Sequence, residues 1–95
     1  MDQAASVAES LRRDLEDLVR KFVSEPDQLR VDVTFDDDMI CFRISPGAQD
    51  GGRVMGQGGT TITSIRHLWK ILAARSSGRW RHCTVLLPDK PRNHG

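Results

Sequence analysis

The residues of this chain best placed to do chemistry are Arg53-Val-Met-Gly-Gln-Gly-Gly-Thr-Thr-Ile-Thr-Ser-Ile-Arg66. Glycines at 56, 58 and 59 interrupt the backbone just ahead of a segment with helical periodicity. Glycine reaches φ > 0 at little steric cost, so such a turn brings main-chain N–H groups close to a ligand. A helix starting there aims its unpaired amides and the positive end of its dipole at the same point. The chemistry this suits is contact with phosphate. Two kinds of phosphate site are excluded by spacing. A P-loop needs Lys and then Ser or Thr after its final glycine, whereas Thr60 and Thr61 follow Gly59 directly. A dinucleotide fingerprint needs a third glycine where Thr61 stands. The same run would also serve as a corner between two helices with nothing bound.

No catalytic set competes with this loop. His67, His82 and His94 fall on a helix, a strand and the tail, none beside a Ser, Cys or Asp in an activating spacing. Asp36-Asp-Asp38 lacks the loop length and terminal Glu of a calcium loop and reads as a solvated turn. Cys41 and Cys83 stand singly in strand-like segments, as small apolar residues do. Trp69 reads as a core anchor; Trp80, between Arg79 and Arg81, suits the core or an interface, or else stacking on a base. No enzyme, metal or cofactor is expected.

The elements that position the loop follow from periodicity. Ser6-Val-Ala-Glu9 fits a capping box, and Val7, Leu11, Leu15, Leu18, Val19, Phe22 and Val23 recur at helical spacing until Pro26. Leu29, Val31, Val33 and Phe35 alternate with polar residues, as do Ile40, Phe42 and Ile44 after the aspartate turn, giving two strands. Asp50 to Met55 suits a short helix weakened by Gly51 and Gly52. Ile62, Ile65, Leu68, Trp69, Leu72 and Ala73 mark a long helix, stopped by Ser76-Ser-Gly78. Trp80 to Leu87 alternates again as a third strand. The order is α-β-β-α-α-β, and three strands with one apolar face need the helices on that face: an α+β sandwich of two layers.

Composition bounds the class. The 95 residues suffice for one core, 38 % are hydrophobic, and no apolar run approaches the ~20 residues of a membrane span. Met1-Asp-Gln-Ala carries no signal-peptide pattern, so the expected home is the cytoplasm. The formal net charge of +1 conceals a polarity. Residues 1–49 hold six Lys/Arg against eleven Asp/Glu, and residues 50–95 hold eight against two. The basic half contains the glycine loop, which suits a polyanionic partner.

These residues resemble a known family. Gly52 to Arg66 is similar to the V-I-G-x-x-G-x-x-I core of KH domains, with Gly56-Gln57-Gly58-Gly59 as its GxxG loop. Pro26-Asp27 before the first strand and Ile65-Arg66 after the loop resemble the small bacterial single-KH RNA-binding proteins of the KhpA-like family. The likeness runs from about Leu15 to Leu87. It implies a type II KH domain over residues 7–87, with flexible ends at 1–6 and 88–95.

It also implies a non-catalytic protein that holds about four nucleotides of single-stranded RNA, as an RNA chaperone or post-transcriptional regulator. The alternative is a KH scaffold serving self-association, or pairing with a larger Jag-type KH protein. By position the RNA-binding set is Arg53, Val54, Met55, Gly56, Gln57, Gly58, Gly59, Thr60, Thr61, Ile62, Ile44 and Arg66, with Val54, Met55, Ile62 and Ile44 as apolar groove floor. One departure matters. Gln57 and Thr60 stand where family members usually carry cations. At about −0.7 per phosphate neutralised, their loss makes the salt slope of binding shallower by about 1.4.

Overall fold

The structure, a computed structural model, describes residues 3–88. Helix α1 (Ala4–Arg20) leads through a 3-10 turn (Pro26–Gln28) into strands β1 (Arg30–Phe35) and β2 (Met39–Ser45). Helix α2 (Gly51–Met55), a second 3-10 turn (Gln57–Gly59), helix α3 (Thr60–Ser76) and strand β3 (His82–Leu86) follow. The sheet order is β1-β2-β3, with β1 antiparallel and β3 parallel to β2. This is the α-β-β-α-α-β domain that the periodicity implied, with a mixed sheet.

Alternation decides which face is covered. Val31 on β1, Ile40, Phe42 and Ile44 on β2, and Val85 on β3 are buried, while Arg30, Asp32, Arg43 and His82 lie exposed. Onto that apolar face α1 lays Ala8, Leu11, Leu15 and Val19, and α3 lays Ile62, Ile65, Trp69 and Ala73. Each large aliphatic or aromatic side chain so removed from water contributes about 1.5–3 kcal/mol. The two helices are also tied directly, because the indole Nε1–H of Trp69 donates to the Leu11 carbonyl at 3.1 Å.

Three details depart from the sequence expectation. Helix α1 starts at Ala4, so Ser6 lies inside the first turn and no capping box forms; Ala4 and Ala8 are buried helix formers that extend it. The boundary expected at Val7 therefore falls within α1, while residues 1–2 and most of the tail, 89–95, lie outside the described residues. The helix also ends at Arg20, leaving Phe22 and Val23 half-buried in the following turn. Phe35 ends β1 at 39 % exposure instead of joining the core, its ring edge-on to Trp80 at 5.6 Å.

Arginines close the sheet's flanks. Arg12 donates to the Val31 carbonyl of β1 (3.2 Å) and to Glu9 and Glu16, and Arg66 Nε donates to the Val85 carbonyl of β3 (2.8 Å). No helix among the described residues is long and apolar enough to cross a membrane.

Candidate nucleic-acid interface

The loop between α2 and α3 has left-handed backbone at three of its four residues: Gly56 (φ 80), Gly58 (φ 65) and Gly59 (φ 80). Gly56 stops α2, its N–H closing on the Gly52 carbonyl at 2.9 Å. A side chain there is excluded twice. Its ψ of 164 belongs to a region essentially reserved for glycine. A Cβ would also stand 2.6 Å from the Thr61 amide nitrogen and against Thr61 Oγ1. Gly59 is the N-cap of α3, and its N–H returns to the Gly56 carbonyl at 3.0 Å. The Thr60 hydroxyl donates to the Gln57 carbonyl at 3.0 Å and tightens the turn. Gln57 and Gly58 are exposed, and nothing lies within 4 Å of a Cβ placed on Gly58. The result is a bare backbone edge at the head of a 17-residue helix without an acidic residue in its first turn.

The expected site residues divide into three groups. Gly56 to Thr61 form the loop and its supporting turn. Arg53, Met55 and Arg66 flank it with exposed side chains, Met55 lying next to Gly59. Val54, Ile62 and Ile44 are buried to within 2 % and belong to the core beneath. In this structure they expose almost no surface of their own. Sequence alternation marks such residues as apolar but not as covered.

A groove of about 700 Å³ runs between Pro46, Ala48, Gly52 and Met55 on one wall and Leu86, Leu87 and Pro88 on the other. Arg66 also lines it, its Nε fixed on Val85, and its Nη groups have no partner among the described residues. Reading β3 as strictly alternating missed this groove, although adjacent Leu86 and Leu87 break the alternation and were the available signal.

Asp50, at the N-cap of α2, was also missed. It is fully buried and accepts from the Ser24 N–H, the Ser24 hydroxyl and the Glu25 N–H, each at 2.8 Å. Burial pushes its carboxyl up, but these hydrogen bonds and Arg53, 3.3 Å away, outweigh that and leave it below its ordinary value.

Both tryptophans are core. Trp69 and Trp80 are each 3 % exposed, and Trp80 Nε1 donates to the Asp36 carbonyl at 3.0 Å, so Trp80 presents no ring for a base to stack on. The Asp36 carboxylate is spent on the amides of Asp38 and Met39, which makes the β1–β2 turn. Burial raises the Cys83 thiol to about 11, which keeps it protonated.

A family model described as KhpA/KhpB, KH domain matches residues 12–83, from within α1 into β3 and across the whole glycine loop. No curated protein and no solved structure matches the chain.

Proposed function

The chain belongs to the KhpA/KhpB KH-domain family, a non-catalytic RNA-binding type, and from that premise we propose that the Gly56–Gly59 loop clamps a single RNA strand. The observation that carries this reading is the bare backbone edge: left-handed glycines with exposed main chain at the start of α3. Phosphates would sit against the exposed Gln57–Gly58 main chain, with Arg53 and Arg66 to either side. About four nucleotides would then extend along the groove lined by Met55, Leu86 and Leu87. The apolar walls suit unstacked bases, and the charge of α3 suits the backbone. In the cytoplasm such a protein would act as an RNA chaperone or post-transcriptional regulator.

With Gln57 and Thr60 in the loop, binding is weak and depends little on salt. Fluorescence anisotropy with short unstructured RNAs tests the reading. A Gln57→Asp, Gly58→Asp double variant should bind at least about tenfold more weakly, through repulsion of phosphate. Gly58 has open space around it and αL backbone that Asp accepts, so the variant should fold. Equal binding by wild type and variant at low salt would remove the loop from the mechanism.

A second reading has its own observation. Leu68 (46 % exposed) and Ile71 (56 %) form an apolar ridge on α3. Such a ridge suits self-association or pairing with a larger Jag-type KH protein. Replacing both by Glu should turn a sedimenting dimer into a monomer; a wild type that stays monomeric at high concentration counts against the homodimer.

A further inference from the structure

Asp50 is the one polar or charged residue buried outright among the described residues. Its partners lie on a distant turn and on its own helix. Ser24 and Glu25, in the turn between α1 and β1, supply three donors at 2.8 Å. Arg53, one turn farther along α2, adds an ion pair, its Nε 3.3 Å from Oδ1. A carboxylate taken out of water is tolerated only when its lone pairs are met by donors and its charge by a cation. Asp50 has both, and the cation is Arg53.

The consequence for Arg53 is geometric. Its side chain stays 58 % exposed and its Nη groups have no partner among the described residues, yet its Nε lies 3.3 Å from a buried carboxylate. It stands three residues before Gly56, where the bare backbone edge begins. A free surface arginine loses rotamer freedom when it is ordered on a ligand. Here much of that ordering is already complete in the folded protein, which favours binding through preorganisation. With Gln57 and Thr60 in place of loop cations, the aim of the remaining arginines counts for more.

We propose that Asp50 is a positioning residue for the RNA clamp. It pins α2 to the Ser24–Glu25 turn and holds Arg53 by their ion pair, so that the outer guanidinium N–H groups are left for an arriving phosphate. This rests on the RNA-binding reading above.

The test is a double-variant cycle of Asp50→Asn and Arg53→Gln, probed with a labelled pool of short random-sequence RNAs. Thermal melts and the NMR signal of the Arg53 Nε–H accompany it. Asp50→Asn should melt lower, shift the Arg53 Nε–H signal, and bind RNA about three- to tenfold more weakly. Arg53→Gln should weaken binding comparably, and the double variant should lose little more than either one. Wild-type affinity in a folded Asp50→Asn variant overturns the inference, as do two losses that simply multiply.

Should Asp50→Asn fail to fold, Arg53→Lys decides the matter. Lysine keeps the charge without the guanidinium geometry beside Asp50, so it should bind more weakly than wild type though better than Arg53→Gln; full wild-type binding overturns the inference. A wild type that does not bind the RNA pool sinks the RNA reading itself and this inference with it. Independent losses sink only the role of Asp50.

Discussion

Among the loop glycines, identity of type conceals a difference in necessity. Gly56 and Gly58 share positive φ, but only Gly56 is hemmed in by Thr61. Gly56→Ala should therefore cost about 2 kcal/mol or more, through steric clash added to backbone strain. Gly58→Ala should cost about 1 kcal/mol, the αL penalty alone. Urea denaturation of both variants measures the gap, and equal midpoints would show that Thr61 yields. The sequence makes the backbone break legible, because three glycines in four positions have no other ready purpose. It does not reveal which glycine is indispensable, since that depends on how α3 folds back over the loop. Asp50 was illegible for a related reason: its donors stand 25 and 26 residues upstream, beyond any local pattern.

The helices and strands were legible because each buries one face, so apolar period and element type coincide. Their ends were less so. Phe22 and Val23 continue the α1 period past Arg20, because residues packing under a turn are as apolar as those on a helix. The walls of the groove come from the ends of elements, Leu86 and Leu87 among them, where periodicity carries least information. Docking of α1 on α3 has a polar component that no pattern announces, the bond from Trp69 Nε1 to the Leu11 carbonyl. Trp69→Phe keeps most of the apolar area and removes the donor. It should lower stability by about 1–2 kcal/mol while the circular dichroism spectrum stays native. A loss near zero would mean that water or another donor reaches Leu11.

Across the whole molecule, the polarity of charge acquires a structural meaning. On α1, Arg12 pairs with Glu9 and Glu16 and Arg20 with Glu16, whereas Arg66 of the basic half lines a groove. Among the described residues, three carboxyls lie below their ordinary values: Glu9 through Arg12, Asp36 through the amides of Asp38 and Met39, and Asp50 through Ser24, Glu25 and Arg53 despite its burial. A carboxyl lowered on folding binds fewer protons than in the unfolded chain. Its stabilisation is complete above the unfolded value near 4 and disappears as pH falls through the folded value. Melting temperature should thus be level from pH 7 to about 5 and drop below about 4, with part of the drop absent in Asp50→Asn. A melting curve unaffected by acid would contradict the native carboxylate contacts. The guanidiniums of Arg12 and Arg66 on the outer carbonyls carry one more consequence. A foreign peptide seeking to join either flank in β-fashion must first evict a charged side chain from its acceptor. Edge-to-edge pairing of this sheet with another chain is thereby disfavoured.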